Sequence, residues 1–162
     1  YTDYKKLINE FSNHISKINS GGGVLNIQKQ HNKGRLTARE RIEYLIDDET
    51  AFFELGKFSA FGMYEEFGEI HCSGIVAGIG KIHSNDFIII ANDATVKAGA
   101  YFETSLRKTI RLQEISMKNN IPVVYLVDSA GVFLPLQEQV FPDEAHFGKI
   151  FYNNAKLSFN DS

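Results

Sequence analysis

The chain has 162 residues, 43% hydrophobic and 23% charged, with a formal net charge of −3. That balance suits one globular domain with a sizeable core, and it excludes a disordered chain or a strongly basic nucleic-acid binder. A lone cysteine, Cys72, excludes an intramolecular disulfide and a cysteine-built metal site, and no apolar run approaches the roughly 18 residues of a membrane span.

Tyr4, Leu7, Ile8, Phe11, Ile15 and Ile18 recur at helical spacing. They predict an amphipathic helix over 3–19, capped by Thr2 or Asp3. Gly21-Gly22-Gly23 ends it and reads as a flexible link, because no Lys-Ser/Thr follows to make a P-loop. Thr37 and Glu40 form a capping box that starts a second helix, with Ile42, Leu45 and Ile46 as its apolar side. Lys33, Arg35, Arg39 and Arg41 gather around its positive end. Cations are disfavoured there, so they point either to an anionic partner or to local partners such as Glu40 and Glu43. Asp47 to Thr50 is a turn, and Phe52, Phe53, Leu55 and Phe58 suggest a short strand before a loop over 61–70.

Ile75 to Ile82 and Phe87 to Ala91, joined by a turn over 83–86, read as a β-hairpin whose second strand is apolar on both faces and therefore central. Asn92 to Ala100 is a small-residue loop with Lys97 its only cation. A helix over 103–119 stops at Asn119-Asn120, since Pro122 cannot continue it. The β-branched run Ile121 to Val127 predicts a strand buried on both faces. It ends at Asp128-Ser129-Ala130-Gly131, a place where α/β proteins hold ligands. Phe141 to Glu144 looks like a helix entry, and Phe147, Ile150, Phe151, Asn154, Ala155 and Ser158 share one helical side.

No side-chain constellation stands out as catalytic. Ser129 lacks the Gly-x-Ser-x-Gly context of a hydrolase. His14, His31, His71, His83 and His146 show no metal-ligand spacing, so no metal site is expected. His146, beside the turn in sequence, is read first as a packing or capping residue. Backbone chemistry remains. Ala130 and Gly131 are small enough for a substrate to approach their peptide N–H groups, which would stabilise an enolate oxygen.

Several stretches occurring in one order resemble a known family. They are Gly21–Gly23, the run Lys33-Gly34-Arg35-Leu36-Thr37-Ala38-Arg39-Glu40-Arg41-Ile42, Ile89 to Lys97, Tyr125 to Val132, Val140 to Asp143, His146 to Gly148 and Phe151 to Ala155. The chain resembles, from Gly21 to Ser158, the carboxyltransferase (β) subunit of biotin-dependent acyl-CoA carboxylases. The stretch from Val140 to Ala155 is most similar to the methylcrotonoyl-CoA carboxylase branch. The resemblance implies an α/β fold of the crotonase (ClpP)-like type, a superhelix of ββα units. Here that would be an incomplete N-terminal half-domain: residues 1–20 form a leading helix, and 21–162 the first part of a CoA carboxyltransferase domain that continues further.

The implied reaction moves a carboxyl group from carboxybiotin to an acyl-CoA, foremost 3-methylcrotonoyl-CoA in leucine degradation, through a dienolate. Biotin rides on a partner α subunit, and β subunits form a homo-oligomer, a hexameric core in the family. Ala130 and Gly131 match the first oxyanion position. Asn92, Lys97, Gly99 and Ala100 would line the coenzyme A site with Lys97 facing phosphate. Lys33, Arg35 and Arg39 would serve the CoA phosphates or hold their helix. The compartment implied is the mitochondrial matrix or a bacterial cytoplasm. Many relatives have Asp-Ser-Gly-Gly where this chain has Asp128-Ser129-Ala130-Gly131. The family's second oxyanion donor is expected beyond Ser162, so the 162 residues alone are expected to be inactive. The alternatives are a propionyl-, acetyl- or geranyl-CoA carboxylase, a decarboxylase such as one acting on glutaconyl-CoA, or a non-catalytic CoA-binding module.

Overall fold

A computed structural model describes residues 2–159, in the order α1 (Thr2–Asn19), α2 (Val24–His31), α3 (Ala38–Leu45), β1 (Phe53–Glu54), β2 (Ile75–Ile82), β3 (Asn85–Asn92), α4 (Glu103–Asn119), β4 (Val123–Leu126) and α5 (Phe147–Phe159), with short 3₁₀ turns between. The four strands form one sheet in sequence order. β2 and β3 pair antiparallel, with Ile75 opposite Asn92 and Ile82 opposite Asn85, and β3 pairs parallel with β4. Parallel neighbours need a long crossover, which α4 supplies. The unit is therefore β2-β3-α4 followed by β4.

The hairpin closes through His83 and Ser84, both at positive φ (50° and 65°). Asp47 holds them: its carboxylate accepts the His83 N–H at 2.8 Å and the Ser84 N–H at 2.7 Å. Two left-handed residues give a turn whose twist matches the strands it joins.

Side chains alternate across the sheet. Val76, Ile89 and Ala91 face α3, where Ala38 and Ile42 meet them. Ile75, Ala77, Ile88 and Ile90 face α4 and Leu112. β3 is the central strand, with Ile88, Ile89, Ile90 and Ala91 all buried. Burying each of the three isoleucines contributes about 1.5–3 kcal/mol. The capping box of α3 forms as the sequence predicts. Thr37 Oγ1 accepts the Glu40 N–H at 3.3 Å, and Glu40 accepts the Thr37 N–H at 2.7 Å.

Four expectations change. The glycine triplet is an ordered turn, not a flexible link. A Cβ at Gly22 would lie 1.7 Å from the Thr95 carbonyl oxygen, and the Gly22 N–H donates to Thr95 Oγ1 at 2.9 Å. α2 follows it directly; its exposed Val24 and Leu25 break any apolar stripe that would have disclosed it. β4 is half-buried throughout and pairs only with β3 among the described residues, so its apolar run does not reflect burial on both faces here. The last helix begins at Phe147, after a 3₁₀ segment over Leu134–Val140, several residues beyond Phe141. The first helix runs as predicted but is only partly docked: Ile18 is buried and Phe11 stacks on Phe58, while Tyr4, Leu7 and Ile8 are exposed. The capping role given to the Thr2 side chain, and the residues Tyr1 and Asn160–Ser162, lie outside the described residues.

Candidate active site

β3 and β4 run parallel, so their C-terminal ends lie side by side, and the loops leaving them meet. Lys97, Ala98 and Gly99 take positive φ in succession (45°, 54° and 69°). This left-handed run brings the first loop onto the second. The Ala130 N–H donates to the Ala98 carbonyl at 3.0 Å, the Tyr101 N–H to the Gly131 carbonyl at 2.8 Å, and the Phe133 N–H to the Tyr101 carbonyl at 3.0 Å. Phe102 then stacks on Phe133 with ring centroids 4.5 Å apart. Gly99 is required by shape: a Cβ there would sit 2.1 Å from the Asp128 carbonyl oxygen.

The zipped loops divide the two expected oxyanion donors. Ala130 is exposed, but its N–H is committed to Ala98. That corrects the expectation of a donor pair, because the amide is occupied by the fold itself. Among the described residues the Gly131 N–H is held only by the neighbouring hydroxyl Ser129 Oγ at 3.0 Å, at an exposed position. An incoming oxygen can replace a hydroxyl that is free to rotate away.

The residues expected to bind coenzyme A fall into two groups. Asn92, Gly99 and Ala100 are buried. Asn92 Nδ2 approaches the Gly99 carbonyl at 3.4 Å, bracing the loop from inside. Arg39 is also withdrawn: its Nη1 and Nη2 donate to Glu54 at 2.8 and 3.0 Å. Burial works against both charges, but the Arg39 and Lys57 bonds outweigh it and hold the Glu54 carboxyl below its usual range, and Glu54 in turn raises Arg39. In this arrangement Asn92 and Gly99 brace the loop, Ala100 is buried within it, and Arg39 ties α3 to β1.

Lys97, Lys33 and Arg35 are exposed. Lys97 lines a polar cleft of about 430 Å³ together with Lys17, Gly21, Gly22, Asn26 and His71. Lys17 donates to Glu69, and Glu69 lies 3.4 Å from His71, whose imidazole is pushed down by burial. Arg35 stands on the other side of the turn, 3.8 Å from Asp128.

His146 pairs with Asp143 at 2.7 Å just ahead of α5, a side-chain pair in place of the packing or capping role expected of it. The methylcrotonoyl-like stretch also serves packing. Asn153 Nδ2 donates to Gln113 Oε1 at 3.0 Å, and the Tyr125 hydroxyl bonds Asn154 Oδ1 at 2.9 Å. Among the described residues, no group of acidic, histidine and cysteine side chains is placed to hold a metal ion, and no helix is long and apolar enough to cross a membrane.

Comparison with known proteins agrees with this architecture. Residues 29–160 match the carboxyl transferase domain. The chain belongs to that family. It is 47% identical over 151 residues to a mitochondrial methylcrotonoyl-CoA carboxylase beta chain of Dictyostelium discoideum, covering 93% of this chain and 26% of that one. It is 41% identical over 156 residues to a biotin-dependent 3-methylcrotonyl-coenzyme A carboxylase beta1 subunit of Mycobacterium tuberculosis, covering 96% and 29%. Among solved structures, the transcarboxylase 12S hexamer with hydrolysed methylmalonyl-coenzyme A bound superposes with a TM-score of 0.83 at 29% identity, covering 93% of this chain and 29% of that one. The crotonase-like ββα fold expected from the resemblance is therefore the fold of this carboxyl transferase domain. The chain spans less than a third of the length of these relatives.

Sequence reasoning located the Asp128–Gly131 turn and the Asn92–Ala100 loop. It missed the Ala98–Ala130 bond, because nothing in either segment discloses its partner across about 30 residues of chain. It also missed Glu54 as the partner of Arg39. The alternative of local partners for the cations was sound in kind, but it pointed to acids one turn away on the same helix.

Proposed function

We propose that this chain forms the acyl-CoA side of a carboxyltransferase active site in a biotin-dependent acyl-CoA carboxylase, with 3-methylcrotonoyl-CoA as the foremost acceptor. The observation that carries the proposal is the exposed Gly131 N–H, held among the described residues only by Ser129 Oγ, in a turn braced from behind by the Lys97–Gly99 loop. The thioester carbonyl oxygen of the acyl-CoA displaces the hydroxyl and accepts the Gly131 N–H. Carboxybiotin would supply the carboxyl group: as its N–C bond breaks, the electron pair left on the ureido nitrogen would take up the γ-carbon proton, negative charge would spread onto the thioester oxygen as the dienolate forms, and the γ-carbon would then bond the released carboxyl carbon. A backbone donor aimed at a developing oxyanion contributes most in the transition state, typically about 2.7–4 kcal/mol.

Lys97 offers its ammonium to a CoA phosphate from the cleft it lines, Arg35 offers a further cation beside Asp128, and Lys33 another exposed one two positions earlier in the chain. Carboxybiotin is delivered by a biotin-bearing α subunit, and the β subunits assemble as a hexamer. The compartment follows the relatives: mitochondrial matrix or bacterial cytoplasm. The second oxyanion donor comes from elsewhere in the full-length subunit, so the 162 residues alone are inactive.

The test is turnover by the full-length subunit with its biotin-bearing partner on methylcrotonoyl-, propionyl- and acetyl-CoA. Preference for the methylcrotonoyl ester is expected. Equal rates on all three would overturn the choice of acceptor, and no turnover on any would overturn the enzymatic reading.

A further inference from the structure

Arg41 contacts the site from below. Its Nη2 donates to the Asn92 carbonyl at 3.1 Å and to the Leu126 carbonyl at 2.9 Å. Those two carbonyls end neighbouring strands: Asn92 is the last residue of β3 and Leu126 the last of β4. The parallel ladder itself stops at Ala91 and Leu126. Beyond it the backbones part, one into the Asn92–Ala100 loop and the other into the Asp128–Gly131 turn. One guanidinium nitrogen from α3 thus spans the point of separation. Bonds from a charged donor to carbonyls are stronger than neutral ones. Arg41 Nε is buried without a partner among the described residues, so the side chain is held by its Nη2 contacts and by packing. The guanidinium also borders an open cleft of about 460 Å³ shared with Arg35, Leu36, Val127 and Asp128.

We propose that Arg41 is a positioning residue: by clamping the ends of β3 and β4 it sets the separation of the two loops and so the direction in which the Gly131 N–H points. The catalytic consequence rests on the oxyanion reading above; the mechanical part does not. A lysine keeps the charge but not the clamp: its side chain is shorter than arginine's, so the ammonium stops short of the two carbonyls, and it is the more strongly hydrated group.

The test uses the full-length subunit assembled with its biotin-bearing partner, as wild type, Arg41→Lys and Arg41→Ala. For Arg41→Lys, kcat is expected to fall about tenfold with KM for the acyl-CoA changed less than twofold, since the donor's aim matters most in the transition state. For Arg41→Ala the loss is larger, methylguanidinium restores part of kcat, and the Ala130 amide, bonded across the two loops to the Ala98 carbonyl, exchanges faster with solvent. Wild-type kcat in both variants would overturn the proposal. So would losses in kcat and KM together that follow loss of assembly, without rescue by methylguanidinium. If the wild-type enzyme turns over no acyl-CoA, the oxyanion reading fails. Faster amide exchange at Ala130 in Arg41→Ala would then still support the clamp, and unchanged exchange would overturn it.

Discussion

Replacing Gly99 by alanine isolates the contact between the two loops. The position has φ +69°, and the added Cβ would lie 2.1 Å from the Asp128 carbonyl oxygen. The left-handed conformation costs an L-residue about 1–2 kcal/mol. The clash is with backbone, so no rotamer relieves it, and the Asp128–Gly131 turn must retreat by about 1 Å to restore ordinary contact. Overpacking of this kind adds about 1–3 kcal/mol. The two together make a destabilisation of about 2–5 kcal/mol, at or above the usual range for a point change. The Gly131 donor moves with the turn, and a misplacement of about 1 Å costs on the order of 100-fold in rate. Urea unfolding of the chain measures the first effect, and steady-state turnover of the full-length subunit with its partner the second. Ser129→Ala is the control, because it leaves the backbone untouched and removes only the hydroxyl that competes for the Gly131 N–H. Wild-type stability and turnover in Gly99→Ala would refute the reasoning.

Three further outcomes follow from the same geometry. Gly131→Ala keeps the N–H, and its Cβ would meet nothing within 4 Å, so it should lose about 1–2 kcal/mol of stability to its φ of +91° while retaining activity; Gly131→Pro, which deletes the donor and cannot adopt that φ, should slow turnover of the full-length subunit by about 100- to 1,000-fold or more. Glu54→Ala leaves the partly buried Arg39 without its carboxylate and should destabilise the chain by about 3 kcal/mol in urea unfolding, whereas loss of an exposed pair such as Lys81–Asp86 should cost under about 1 kcal/mol. Lys108 gives a pH signature. Its Nζ donates to the Gly56, Cys72 and Ile75 carbonyls at 3.1, 3.1 and 2.6 Å, yet burial brings its pKa from 10.5 down to about 8. Burial also pushes the Cys72 thiol from 9.0 up to about 11. From pH 8 to 9 the unfolded chain holds the Lys108 proton that the folded one has released, so stability rises with pH. Above pH 9 the folded chain keeps the Cys72 proton that the unfolded one loses, which opposes the rise. Lys108→Met should remove the gain between pH 8 and 9, and urea midpoints measured from pH 7 to 10 would show it; an unchanged slope would refute the assignment.

Local rules carried most of the secondary structure. The α3 capping box, the β2–β3 hairpin and the 103–119 helix all follow from spacing, capping chemistry and turn residues within a few positions of one another. Their stabilising contacts are short-range, so the chain segment itself contains the information. α2 was not legible, because its exposed Val24 and Leu25 remove the periodic signal that marks a helix packed on a core. β4 was misread for a related reason. A continuous apolar run reports what the strand is suited to, while its half-burial here depends on which neighbours the sheet supplies.

At the site, sequence alone determined which residue types stand at the turn: a carboxylate, a hydroxyl and two small residues. It also determined the family, since many short matches in one order cannot be produced by composition. Tertiary structure decided which of those groups are available. Ala130 and Gly131 are adjacent and equally small, yet one amide is bonded to Ala98 and the other is left to a movable hydroxyl. Arg39 and Arg41 lie two positions apart in one cationic run, yet one is bonded to Glu54 and the other clamps two strand ends. The reason is the same in both cases. A hydrogen-bonding group is free or occupied according to what the fold brings within about 3 Å of it, and those partners lie 15 to 85 positions away in the chain.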